Sequence, residues 1–176
     1  MPKTYNTFTN VSTGDVLTAT NFNNVLTNIG NYRVPPAVEV YRTSRLSSYS
    51  SLADITWEAA ARINTDGMWS SGATITIQTA GIYLISFVGL AAGTATITDI
   101  FPVIRKNSAN FATFHPAIRT SSDSRFNCQV VCSLAASDTI QARVGFTGGS
   151  AYFIEGGATE GENQTRLSLT WLGQVS

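Results

Sequence analysis

Residues 63–91 read I-N-T-D-G-M-W-S-S-G-A-T-I-T-I-Q-T-A-G-I-Y-L-I-S-F-V-G-L-A, and two periodicities lie within them. From Ala73 to Gln78, Ile75 and Ile77 alternate with Thr74, Thr76 and Gln78. A period of two with one apolar phase predicts a half-buried strand. Thr79-Ala80-Gly81 breaks the run as a turn. From Ile82 to Leu90 both phases are apolar: Ile82, Leu84, Val88 and Leu90 on one, Tyr83, Ile85 and Phe87 on the other. Such a strand is expected to be covered on both faces, at the centre of a sandwich.

The bulk composition narrows the function. The 176 residues suffice for one domain with a sizeable core and a short appendage. Eleven basic residues balance eleven acidic ones, and charged residues make up only 12%. With no basic excess to neutralise phosphates, nucleic acid is not an expected partner; nor is an anionic membrane surface. The longest nearly apolar run, Ile82 to Gly93, falls far short of the ~20 residues that span a bilayer. The opening M-P-K-T-Y-N-T-F-T-N lacks the apolar segment of a secretory signal, so synthesis and retention in a cytoplasm are expected. Cys128 and Cys132 are the only cysteines. On one strand face their Cα atoms would stand roughly 13 Å apart, and a disulfide needs less than about 7 Å. Two free, buried thiols are expected, with no zinc-ligand spacing.

The first 34 residues differ in kind from the rest. Met1 to Ser12 is polar, with Tyr5, Phe8 and Val11 spaced along it, and Thr13-Gly14-Asp15 signals a turn. Phe22, Val25, Leu26 and Ile29 then fall at i, i+3, i+4 and i+7, one stripe of a helix. Thr18 or Thr20 can cap its start and Gly30 can end it. A helix of about ten residues with one stripe is unstable alone and must dock on something. Val34-Pro35-Pro36 imposes an extended spacer, so we divide the chain into an arm and helix, residues 1–34, and a β domain, residues 35–176.

Within the β domain, Val38, Val40 and Tyr41 begin the first strand, Ser44 to Ser51 reads as a hydroxyl-rich loop, and Ile55 and Trp57 as a second short strand. After the organising pair, Gly93 to Asp99 reads as a loop or short edge strand. Strands follow at Ile100–Lys106, Phe111–His115, Phe126–Leu134, Ile140–Phe146, Tyr152–Ile154 and Leu167–Leu172. Polar loops lie at Arg119–Ser124 and at Gly156–Asn163. About ten strands at short intervals predict an all-β, antiparallel jelly-roll sandwich carrying a short N-terminal arm and helix.

No residue pattern points to catalysis. His115 is the single histidine, and no G-x-S-x-G turn accompanies it. Acidic residues such as Asp66, Asp123 and Asp138 sit in turns, where solvation explains them, and no dense D-x-D-x-D run offers a calcium site. Gly148-Gly149 and Gly156-Gly157 lack the Lys-Ser or Lys-Thr of a phosphate loop. We therefore expect no enzyme activity, no cofactor and no metal. Tyr49, Trp69, Tyr152 and Phe153 lie in or beside loops and are candidate ligand-binding aromatics. The alternative is that they cap the sandwich or line a subunit interface.

Two resemblances follow. I-N-T-D-G-M-W-S-S-G-A-T-I-T-I-Q-T-A-G-I-Y-L-I-S-F (63–87), P-V-I-R-K-N-S (102–108), C-S-L-A-A-S-D-T-I-Q-A-R-V (132–144) and L-S-L-T-W-L-G (167–173) stand in the order of motifs in one family of trimeric globular heads. The segment from Pro36 onward resembles the head domain shared by the complement recognition subunit and the tumour-necrosis-factor ligands. It departs from them where Ser86 shifts the G-x-Y-x-F spacing, at Lys106-Asn107-Ser108, and at Ser137-Asp138 in place of Gly-Asp. The resemblance implies a ten-strand jelly roll assembled as a compact homotrimer about a threefold axis. Upstream, Gly14-Asp15-Val16-Leu17-Thr18-Ala19, then Asn21-Phe22-Asn23, resembles the N-terminal segment common in virion proteins of tailed bacteriophages, where it attaches a C-terminal domain to the particle.

Together these imply a non-enzymatic bacteriophage structural protein at the virion surface, made in the host bacterial cytoplasm, as a head decoration or minor tail protein. Its expected partners are two further copies of itself and other virion proteins, capsid shell or tail, bound through Phe22, Val25, Leu26 and Ile29. The rival expectation is a tail-tip adhesion module whose loops 44–51 and 156–163 meet a host surface glycan or protein.

Overall fold

The computed structural model describes residues 18–58, 61–94, 97–115, 123–148, 152–157 and 164–174. The polar arm, the Thr13-Gly14-Asp15 turn, and most of the loops at 119–124 and 156–163 lie outside the described residues.

Helix α1 spans Ala19–Arg33. Thr18 caps it, its Oγ1 accepting the Asn21 backbone N–H at 3.2 Å, which satisfies one donor of the first turn. The helix does not stop at Gly30 as expected but continues to Arg33. A glycine inside a helix costs only about 1 kcal/mol relative to alanine. The stop comes instead from the prolines: Val34, preceding Pro35, leaves the helical region at φ −131°, ψ 79°.

Two antiparallel sheets follow. The first is built on β5 (Gly81–Ala92), which pairs along its whole length with β8 (Asp123–Leu134). On its other edge β5 pairs with β11 (Arg166–Gly173), then at its far end with β10 (Tyr152–Ile154). Beyond β11 come β1 (Ala37–Tyr41) and β3 (Ile63–Asn64), and β10 carries β2 (Leu46–Tyr49). The second sheet runs β4 (Ile75–Thr76), β9 (Thr139–Gly148), β6 (Ile97–Lys106), β7 (Ala109–Thr113). The expected all-β antiparallel jelly roll is the fold observed.

The core lies between the sheets and follows the alternation. Tyr83, Ile85 and Phe87 of β5, Leu167, Leu169 and Trp171 of β11, and Val38 and Val40 of β1 point in from one side. Ile100 and Ile104 of β6, and Ile140, Ala142 and Val144 of β9, meet them from the other. Gly81 is needed where β5 starts: an added Cβ would overlap the Trp171 indole Nε1 and the Gly173 carbonyl oxygen. The indole N–H donates to the Ala80 carbonyl at 3.3 Å, pinning the last strand to that turn.

Four expectations are corrected. The strand at 73–78 is regular only over Ile75–Thr76; Ile77 is held instead by paired bonds with the next turn, its N–H donating to Asp138 O and its carbonyl accepting Ser137 N–H, each at 2.8 Å. Ile55 and Trp57 form no regular strand, and their segment touches its neighbours through single bridges, Asp54–Arg143 and Trp57–Gly72. The hydroxyl-rich loop contains β2, a strand whose partner among the described residues is β10. Finally, β5 is covered on one face only. Its second phase, Ile82, Leu84, Val88 and Leu90, stays half-buried because the sandwich has two layers and nothing in the described chain lies over the first sheet.

Candidate functional site

The outward phase of β5 defines the first candidate surface. Register places Val131 of β8, Leu84 of β5, Thr170 of β11 and Ala37 of β1 in one row across the sheet. Val131 is 58% exposed and Leu172, near the end of β11, is 54% exposed. With Ile82 and Leu84 between them, they make the half of this face nearest the start of β1 apolar. The other half is polar: Ser86 lies between Gln129 and Ser168, and Val88 between Asn127 and Arg166. At the far edge Arg62 donates to Glu39 at 2.9 Å and lies over the Tyr41 ring at 4.7 Å. Val131 carried a readable signal, since it is the one apolar residue in an outward phase otherwise made of Asn127, Gln129 and Ser133. The sequence reading did not take it as a contact.

The second surface is on α1. Phe22, Leu26 and Ile29 are 51%, 51% and 50% exposed, and Val25 is half-buried. None joins the core cluster. Val34, which links the helix to β1, is 49% exposed as well. Among the described residues, no helix is long and apolar enough to cross a membrane.

The four loop aromatics do not form one exposed site. Tyr49 and Trp69 are buried, correcting their placement as surface residues. Trp69 stands apart, its indole N–H donating to the Gly72 carbonyl at 3.2 Å. The other three gather where β2 meets β10. Tyr49 faces Tyr152 in register, and Phe146 lies between them, stacked on Tyr152 at 4.2 Å and edge-on to Tyr49 at 6.0 Å. The Tyr49 hydroxyl donates to the Ala53 carbonyl and accepts the Val144 N–H at 3.0 Å. Burial pushes its pKa up to about 12. Tyr152 donates to the Gly148 carbonyl at 2.6 Å. Phe153 is half-buried beneath the Arg45 guanidinium, 5.1 Å above its ring. Tyr49, Phe146 and Tyr152 thus pack on one another where β2 meets β10.

Other reactive groups are occupied. Burial raises the Cys128 thiol to about 12, and it donates to the Phe87 carbonyl at 3.2 Å. Cys132 is half-buried, more open than expected, and burial raises its pKa as well; both cysteines are free thiols. Asp54 receives Arg143 at 2.5 Å and Arg105 at 3.1 Å, stitching the loop after β2 to the second sheet. Among the described residues no group of three or more His, Cys, Asp or Glu side chains is placed to hold a metal ion.

No protein-family profile and no curated protein matches this chain. Solved structures do. The globular domain of zebrafish complement 1qA protein superposes with a TM-score of 0.59 at 11% identity, over 80% of this chain and 100% of that one. The crystal structure of murine APRIL at pH 8.5 gives 0.53 at 16% identity, over 77% of this chain and 98% of that one. The class defined by fold is thus the C1q/TNF-like jelly roll, shared in architecture at identities where sequence is no longer shared.

Proposed function

We propose that the chain is a non-enzymatic structural protein of a bacteriophage particle, a homotrimer that projects its jelly roll and attaches through α1. The observation that carries this reading is a pair of apolar surfaces, one on the helix and one on the outer face of the first sheet, that the described residues leave exposed. The sheet face, with Ile82, Leu84, Val131 and Leu172, suits contact with further copies of the same chain. A contact between two different patches closes into a ring when its rotation permits, and three copies form one such ring. The stripe Phe22, Val25, Leu26 and Ile29 suits a groove in another virion protein, read as i, i+3, i+4 and i+7 anchors. The resemblance of residues 14–23 to phage attachment segments and the C1q/TNF-like fold support the two halves of this reading separately.

The test is the copy number of the chain in purified particles, measured by quantitative mass spectrometry against the major shell protein. A ratio near that of the shell protein identifies a head decoration. A small ratio identifies a tail component. Absence from particles removes the virion reading.

A further inference from the structure

The outward phase of β5 reads Ile82, Leu84, Ser86, Val88, Leu90, and Ser86 is its one polar residue. Register sets that serine in the middle of a polar row. Gln129 of β8 and Ser168 of β11 stand opposite Ser86, and Glu39 of β1 stands opposite Ser168. The row crosses four strands, about 14 Å at ~4.8 Å per strand. Next to it runs the row of Val131, Leu84, Thr170 and Ala37. Ser86, Ser168 and Glu39 are half-buried and Gln129 is exposed. Glu39 is engaged by Arg62 at 2.9 Å. The Gln129 carboxamide donates to the Ser86 hydroxyl at 3.4 Å, long for an N–H···O bond.

We propose that, in an oligomer made through this face, Ser86, Gln129 and Ser168 fix the placement of one copy on the next, while Ile82, Leu84, Val131 and Leu172 supply the affinity. This rests on the reading of the face as a contact between copies. The occupant is a second copy of this chain. No residue is charged from Gln129 to Ser133 on β8, from Ile82 to Val88 on β5, or from Ser168 to Leu172 on β11. The chain as a whole has a net charge of zero, so copies approach this face without repulsion, and a strongly charged partner meets no counter-charge on it. Apolar contact is non-directional, so the apolar residues alone tolerate a shift along the sheet. The polar row does not. A hydroxyl or carboxamide covered without a partner weakens a contact roughly tenfold or more. Two serines and a glutamine each donate and accept, so a placement that gives all three a partner is favoured over every shifted one. A single buried asparagine sets register and oligomeric state in a coiled coil by the same means.

The test is native mass spectrometry of the full chain, with sedimentation equilibrium for affinity, on wild type and on Gln129→Val with Ser168→Val. Valine suits a strand at both sites, and calorimetry checks the fold. Gln129→Val alone, at an exposed site, gives the same comparison where the pair lowers the Tm. Wild type is expected to form trimers only. The double variant should associate at least as tightly yet spread over dimers, trimers and tetramers. Thr170→Val, which removes a hydroxyl from the neighbouring row, should keep the single stoichiometry. A double variant that forms only trimers overturns the proposal. So does one that dissociates tenfold more readily without spreading, because the row then supplies affinity and not placement. In both cases wild type still assembles, and the assembly face stands. A monomeric wild type removes that face and the proposal together.

Discussion

Replacing Val131 with Asp separates folding from assembly. In the single chain Val131 is 58% exposed and its outward neighbours on β8 are polar, so a carboxylate there stays in water. The change in monomer stability should be within about 0.5 kcal/mol, as for surface sites generally. In a trimer made through this face the remaining half of the side chain is buried, which is worth roughly 1 kcal/mol per copy. Three copies lose about 3 kcal/mol per trimer, so dissociation rises at least ~100-fold. Adding Leu172→Asp, at a site 54% exposed, doubles that loss to a floor of ~10⁴-fold. The cost of drawing carboxylates out of water, several kcal/mol each, comes on top. Sedimentation equilibrium over a range of concentrations measures the association, and urea unfolding measures the monomer. A wild-type protein that stays monomeric, or a double variant that associates like wild type, refutes the assembly surface. A double variant that unfolds shows that the face belongs to the fold of the single chain.

Phe22→Asp with Leu26→Asp, both on the exposed stripe of α1, should leave the oligomer intact and abolish incorporation into particles; normal incorporation, read by immunoblot of purified particles, refutes the anchor. Gly81→Ala should cost about 1–3 kcal/mol, because the new methyl overlaps the Trp171 indole and the Gly173 carbonyl; calorimetry should show a Tm lower by roughly 3–10 °C, and an unchanged Tm contradicts the close approach. Asp138 is subject to burial, which raises its pKa, but the Lys106 ammonium and the Asn107 and Ala135 N–H groups outweigh it and hold the carboxyl below its usual value. A depressed folded pKa stabilises above the unfolded value of about 3.9 and is lost as pH falls through the folded one. Asp138→Asn should therefore flatten the loss of stability below about pH 4, and an unchanged acid limb in chemical unfolding contradicts this.

How much could be read from the sequence depended on whether a strand has one face in the core. In β8 and β9 the alternation of Phe126, Cys128 and Leu134, and of Ile140, Ala142 and Val144, marks the buried phase directly. The sequence L-S-S-Y of β2 carries no such alternation, and Ser48 takes a left-handed φ of 58°; pairing with β10 alone makes it a strand. The both-phase pattern of β5 predicted two covered faces, yet the described residues cover only one. Such a pattern marks apolar surface on both faces and does not say whether the second cover comes from the same chain or from another. Tyr49 and Trp69 misled in the opposite sense: their place beside loops suggested exposure, but an aromatic at the end of a sandwich seals it.

The position of β5 also sets a timetable. Its partners come from residues 123–134, 152–154 and 166–173, all later in the chain. Arg166, opposite Val88, lies about 80 positions downstream. At ~5–20 residues per second a ribosome takes several seconds to supply it. Until residues 123–134 are made both edges of this strongly apolar strand are unpaired, and until residues 166–173 are made one edge still is, an aggregation-prone state. Soluble yield should therefore respond to translation speed and to chaperone supply more than the equilibrium stability of the finished sandwich would suggest.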